Sequence, residues 1–286
     1  MTCPSTTVIY KTKVKSLIFR LTTLAYHRRI LFTDFFSQSL KKFTALLISL
    51  VLALAISVPV FAAEPQQVPP DEFSTDMEDR INLYDRTWFK LGRAASLGND
   101  KSDQHYEHNK GVGLITGYVN GQSNYSDYLV GSTNMSGVGC EIIATHNALR
   151  LSGNSSELCS VIRSFETNGY LMVNGYLGSD PYAIGEYLSA KSVSYTEYPD
   201  NDSYSTFAKA VADSLSAKER KTFIISFWNS KHIGDGLHTV AFRTSNGSIV
   251  AYNRYSNVST TKTYSSLNDF FAGEVGSDRY ITGYKL

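Results

Sequence analysis

Three residues of the kinds that carry acyl-transfer chemistry stand in informative surroundings in this chain: Cys140, His238 and Asn253. Cys140 closes the small, polar stretch "STNMSGVGC" and opens "CEIIATHNALRLSG". In the latter, Ile143, Asn147 and Leu151 recur at helical spacing with Ala144 and Ala148 beside them, and Gly153 with Asn154 marks the stop. The cysteine is therefore expected at a helix N-terminus. There the unpaired N–H groups and the positive end of the helix dipole favour the thiolate, the nucleophilic form of the side chain. The glycines ahead of it let backbone N–H groups come close to a substrate and aim at an oxyanion.

Such a nucleophile needs a base, and the chain has six histidines. His27 precedes an apolar run near the N-terminus. His105 and His108 lie in the polar stretch "GNDKSDQHYEHNKG", read as loop with solvated histidines, and His232 lies in "NSKHIGDG", also a loop by composition. His146 follows Cys140 by six residues, about 600° around a helix, and so points away from the thiol. His238 begins "HTVAFRTSNGSIVAYN", in which two apolar runs flank the turn Ser245-Asn246-Gly247 and describe a β-hairpin. Asn253 ends the returning strand, fifteen residues on, where its side chain is expected to meet the imidazole and set its tautomer. A strand-end histidine beside a turn asparagine is also an ordinary structural pairing, and the hairpin alone does not separate the two readings.

The elements that position these residues follow from patterning. The chain has 286 residues, 42% of them hydrophobic and 13% aromatic, enough for a packed domain and too apolar for disorder. Lys41 and Lys42 precede "FTALLISLVLALAISVPVFA", an uncharged run over 43–62, and proline-rich polar sequence follows. Positive flank, apolar core and small residues at Val60 and Ala62 describe a secretory signal cut between Ala62 and Ala63. The competing reading is an uncleaved membrane anchor, since the run is long enough to span a bilayer. The first 42 residues hold eight of the 27 basic and one of the 26 acidic residues, leaving 19 basic against 25 acidic in 63–286. A mildly acidic mature chain argues against a nucleic-acid partner.

Outside the cytoplasm two cysteines can form a disulfide, and Cys140 and Cys159 are the two in the mature region. A second helix about "SSELCSVIRSFETNG", capped by Ser155 or Ser156, turns Cys159 inward with Ile162 and Phe165, so Cys159 reads as a core hydrophobe and both thiols as free. Residues 63–123 form a linker and front segment. Within it Ile81, Tyr84, Trp88 and Leu91 have helical period, which suits packing on the domain that follows or a pro-segment. No metal constellation of correct spacing, phosphate-binding loop or internal repeat is present, so neither metal nor cofactor is expected.

From about Asn124 onward the chain resembles the papain-like fold, and most closely cysteine peptidase family 39 with its secreted relatives, among them the double-glycine leader peptidases. "SGVGCEIIATHNALRLSG" is similar to the family's nucleophile helix and "SSELCSVIRSF" to its companion helix. "NGYLGSDPYAIGEYLSAKSVSYTEY" resembles the Gly-Pro turn, amphipathic helix and short strand, and "FAKAVADSLSAKERKTFIISFW" the next helix and strand. "GLHTVAFRTSNGSIVAYN" resembles the histidine hairpin, and "SLNDFFAGEVGSDRYITGYKL" the closing helix and last strand. The resemblance implies an α+β, papain-like domain over 124–286, a nucleophile helix packed on an antiparallel sheet. It implies Cys140 as nucleophile, His238 as general base and acid, and Asn253 as the group that orients the imidazole.

Two positions depart from the family. Glu141 stands where glycine is usual; a carboxylate there opposes ionisation of the neighbouring thiol, although a first-turn glutamate also suits the helix dipole and can point outward. The family's oxyanion glutamine, about six residues upstream of the cysteine, is replaced by Asn134, a shorter amide that can serve the same role. The expectation is a secreted or extracytoplasmic monomer, anchored to the membrane where the leader is not cleaved. It would hydrolyse peptide or protein substrates through a thioester, with membrane contact through the leader alone. The alternative is a papain-like domain without turnover that binds a peptide or a wall component. A transferase using the same three residues also fits, because fold and triad do not set the acceptor.

Overall fold

The computed structural model describes residues 86–94, 101–229, 236–271 and 279–286. The proposed signal, its cleavage site, Ile81, Tyr84 and His232 lie outside them.

The chain is α+β around an antiparallel sheet. Its strands are β3 (Thr196–Tyr198), β4 (Thr222–Trp228), β5 (Leu237–Ser245), β6 (Ser248–Tyr252), β7 (Lys262–Tyr264) and β8 (Tyr280–Lys285), in the order β3-β8-β4-β5-β6-β7. A two-stranded ribbon, β1 (Leu129–Val130) with β2 (Thr133–Asn134), stands apart from it. The central strand β4 reads "TFIISFW" without alternation because both of its faces are covered, and all seven residues are buried. The β5–β6 hairpin closes with Ser245 opposite Ser248. Asn246 and Gly247 both take positive φ, 53° and 79°, the conformation an Asn-Gly hairpin turn requires.

One face of the sheet carries α4 (Cys140–Leu151), α5 (Leu158–Thr167) and α6 (Ala183–Ala190), which bury Ile142, Ile143, Ile162, Phe165 and Ile184 against Ile224, Ala241 and Tyr284. The other face carries α7 (Tyr204–Ser216) and α8 (Leu267–Phe270), where Phe207, Val211 and Phe270 pack on Phe223, Ile225, Val240 and Phe242. Ala241 and its neighbours Val240 and Phe242 thus serve opposite cores, as strand alternation demands. Gly283 on β8 admits the Phe207 ring, whose Cε2 would lie 2.6 Å from any Cβ placed there.

The front segment supplies α1 (Arg86–Ala94) and α2 (Ser102–Val112). On α1 the buried residues are Phe89 and Gly92, while Leu91 is 61% exposed. Of the two residues expected on the packing face, Trp88 is partly buried against the core, and Leu91 is corrected to the solvent side. Phe89 joins a small cluster with Met172, Tyr182, Trp228 and Ile281, and Gly92 lets the helix approach Met172 closely. Arg93 binds Gly169 O at 2.9 Å and Glu186 at 2.7 Å, so charge pins what the short apolar stripe begins. The stretch expected as loop is α2, and of its two histidines His108 is exposed as expected. His105 is buried there with Nδ1 2.6 Å from Glu166 Oε1, and Asn109 exchanges two hydrogen bonds with the backbone of Leu129. Its inward face is polar and satisfied across the chain, a pattern that hydrophobic period does not reveal.

Candidate active site

The short helix α3 (Met135–Val138) leads into α4, and Gly139 between them is the N-cap of α4. A Cβ at Gly139 would stand 2.7 Å from Met135 O, so only glycine allows the turn that delivers Cys140 to the first position of the helix. The thiol reaches the backbone of β5 near Leu237, whose carbonyl lies 3.9 Å from Sγ. Backbone N–H groups of Thr239 and Glu141 favour the thiolate there. Burial dominates nonetheless, and with the Glu141 carboxylate alongside it holds the thiol well above its ordinary range.

Glu141 is 1% exposed, so the first-turn acid points into the protein, where it could equally have faced water. Its Oε2 accepts from Cys140 Sγ at 3.2 Å and its Oε1 from the Thr239 hydroxyl at 3.4 Å. The Thr239 hydroxyl also shares a hydrogen bond with Ser226 Oγ at 2.9 Å. Desolvation pushes the Glu141 carboxyl up to about 7.

His238 alternates with Thr239 and so leaves β5 on the other face, with Val240 and Phe242. Its ring stands edge-on to Phe227, 6.1 Å between centroids, and burial pushes the imidazole down to about 4. Nε2 is 2.9 Å from the backbone carbonyl of Asn253 and donates to it in the neutral ring. Among the described residues no hydrogen bond joins the ring to Cys140.

Asn253 lies just beyond β6 at φ 55°, a left-handed conformation that asparagine tolerates. Its side chain was expected on the imidazole, and here the expectation is corrected. The positive φ turns the main-chain carbonyl to His238, while Oδ1 accepts from Gln122 N at 3.0 Å and Nδ2 donates to Gln122 Oε1 at 3.3 Å. Gln122 opens a 3-10 turn, Gln122–Asn124, is buried, and donates from Nε2 to Ser136 O at 3.2 Å. It is a buried amide beside the histidine loop that sequence reasoning missed. The available signal was a glutamine following a glycine ahead of the nucleophile helix, Gly121-Gln122, farther upstream of Cys140 than Asn134.

Asn134 is the N-cap of α3. Its Oδ1 accepts from Gly137 N at 3.3 Å and from the Ser136 hydroxyl at 2.7 Å, which engages the side chain in capping. The remaining candidates are structural. His146 is tied to Ser156 Oγ and Gly117 O. Cys159 is fully buried, and it and Cys140 are both free thiols. The cap of α5 is Glu157, which accepts from Cys159 N and Ser160 N, in place of the serines expected. Among the described residues no group of three or more His, Cys, Asp or Glu is placed to hold a metal ion, and no helix is long and apolar enough to cross a membrane. Comparison with protein-family models, with curated proteins and with solved structures finds no match for this chain.

Proposed function

We propose that the domain is a thiol-dependent amide hydrolase that cleaves peptide bonds, with Cys140 as the nucleophile. A helix-borne cysteine followed by a strand-borne histidine is the order of the papain-like fold, and export through the leader completes the reading as a secreted cysteine peptidase. The observation that carries the proposal is the placement of Cys140 Sγ. It stands at the first turn of α4 with N–H groups from that turn and from β5 directed to it. Attack on an amide carbonyl gives a thioester and frees the amine, and water then releases the acid. In the papain-like order His238 would supply acid and base, but its ring leaves β5 on the face away from α4 and is held by the Asn253 carbonyl, so the proposal rests on Cys140 alone.

A peptide-binding domain without turnover is the second reading. It is favoured by the fact that burial and Glu141 both hold the thiol in its protonated form.

The test is the full chain against Cys140→Ala, incubated with a peptide mixture and followed by mass spectrometry for new amino termini. Loss of all cleavage in Cys140→Ala, together with iodoacetamide labelling of wild-type Cys140, is the expected result. Equal cleavage by both chains removes Cys140 from the chemistry, and binding without cleavage by either supports the second reading.

A further inference from the structure

Among the described residues Glu141 is the buried acid bonded to the sulfur, and its position in the first turn did not require burial. Three hydroxyl or thiol groups line up on it: Cys140 Sγ on Oε2, Thr239 Oγ1 on Oε1, and Ser226 Oγ behind Thr239. Thr239 holds Oε1, which leaves Oε2 turned to the sulfur. The His238 ring lies on the other face of β5, with Nε2 occupied by the Asn253 carbonyl.

We propose that Glu141 is a catalytic residue: it takes the Cys140 proton as the thiol attacks and delivers it to the leaving amine. The inference rests on Cys140 being the nucleophile and reassigns only the proton transfers. As the Sγ–C bond forms, the S–H bond breaks and its proton moves to Oε2, while the carbonyl π pair moves to oxygen. When the C–N bond breaks, the carboxyl proton goes to nitrogen, the amine departs, and Glu141 is a carboxylate again. Water then attacks the thioester and gives a proton to Glu141. The C–S bond breaks, and that proton returns to sulfur. The sum is amide plus water to acid plus amine, with no other reactant.

The groups that face Glu141 are few. Cys140 adjoins it on α4, Asp180 acts on it from the loop ahead of α6, and Asp180 is itself bonded to Arg93. Strands β5 and β4 present the hydroxyls of Thr239 and Ser226. The charged residues of α5 are engaged elsewhere, Arg163 with Asp103 and Glu166 with His105, and Cys159 donates to Gly113 O. With Glu141 as the acceptor, reactivity of Cys140 rises with pH through about 7, where the carboxyl loses its proton, and then levels. With His238 as the acceptor the rise would lie near 4.

The experiment is the rate of iodoacetamide addition to Cys140 in the full chain, followed by intact mass and peptide mapping across pH. Wild type, Glu141→Gln and His238→Gln are compared, each checked for a cooperative thermal melt. The expected wild-type curve rises near pH 7, and His238→Gln keeps that midpoint. Glu141→Gln moves the rise upward by about two pH units or more and slows labelling at about pH 8 by roughly tenfold or more, since the thiol, still buried, must then ionise unaided. A wild-type rise near pH 4 that disappears in His238→Gln overturns the proposal, as does a Glu141→Gln curve superimposed on wild type. The wild-type midpoint decides the matter even where Glu141→Gln does not fold. Absence of Cys140 labelling at every pH is a different failure, because it removes the nucleophile itself.

Discussion

A buried carboxyl group that titrates near 7 should be visible in the stability of the protein, and Glu141→Gln isolates it. Folding raises this carboxyl from 4.5 to about 7, so the folded state binds the proton more tightly than the unfolded chain. The sign follows from linkage. Stability from this group is greatest below about pH 4.5, declines as pH rises toward 7, and is fully lost above that. A rise of about two and a half units corresponds to roughly 3 kcal/mol between the two limits. His238 pulls the opposite way. Its value falls from 6.5 to about 4 on folding, so its contribution is lost as pH drops through that interval. The wild-type curve therefore mixes two opposed titrations, and the difference between wild type and Glu141→Gln cancels that of His238. Glutamine keeps the shape and can still accept from the Thr239 hydroxyl, but it carries no charge to desolvate. Urea denaturation of both full chains, followed by circular dichroism at several pH values, measures the difference. Glu141→Gln should be the more stable chain by about 3 kcal/mol at about pH 8.5, and the gap should close toward about pH 5. A gap that stays constant over that range, or one that widens toward acid, refutes the reasoning. Confirmation would mean that the acid is kept at a cost in stability, as active-site groups commonly are.

Other outcomes follow from the same geometry. Asn253→Ala removes both bonds to Gln122 and places alanine at φ 55°, which should lower stability by about 2–3 kcal/mol. It leaves the carbonyl on His238, so the Nε2–H tautomer seen by ¹⁵N NMR should persist, and a switch to the other tautomer contradicts the assignment. Phe89→Ala should release α1, with local loss of about 3 kcal/mol, faster hydrogen exchange in 86–94 and unchanged exchange in β4 and β5. Non-reducing mass analysis should find Cys140 and Cys159 unbridged, and Cys159→Ser should lower stability by about 1–3 kcal/mol while sparing the reactivity of Cys140. N-terminal sequencing of protein recovered outside the cytoplasmic membrane should begin near Ala63, and an intact leader on protein in the cytoplasm defeats the export reading.

The parts of the fold that were legible in the sequence are those in which near neighbours settle the conformation. The Asn246-Gly247 turn declares the β5–β6 hairpin because both residues adopt positive φ cheaply, and its register brings His238 and Asn253 to one end of the sheet. The spacing of Ile143, Asn147 and Leu151 and the stop at Gly153 declare α4, and the glycines before Cys140 declare where it starts. The mixed class, helices with an antiparallel sheet, follows from the alternation of such signals. What failed was polar or distant. The α2 helix hides its inward face behind His105 and Asn109, whose partners Glu166 and Leu129 lie 61 and 20 residues away.

The sequence by itself determined that Cys140 opens a helix, that His238 stands at the mouth of a hairpin strand, and that Glu141 follows the cysteine. Tertiary structure alone decided which partners these residues meet. The Asn253 amide was given to Gln122, 131 residues away, because a left-handed backbone at Asn253 turns the carbonyl rather than the side chain to the imidazole. Glu141 was turned inward because β5 lays the Thr239 hydroxyl under the first turn of α4. Strand period then assigned His238 to the opposite face from Thr239. Those contacts join residues far apart in the chain, and their energy depends on burial, which no local pattern of residues encodes.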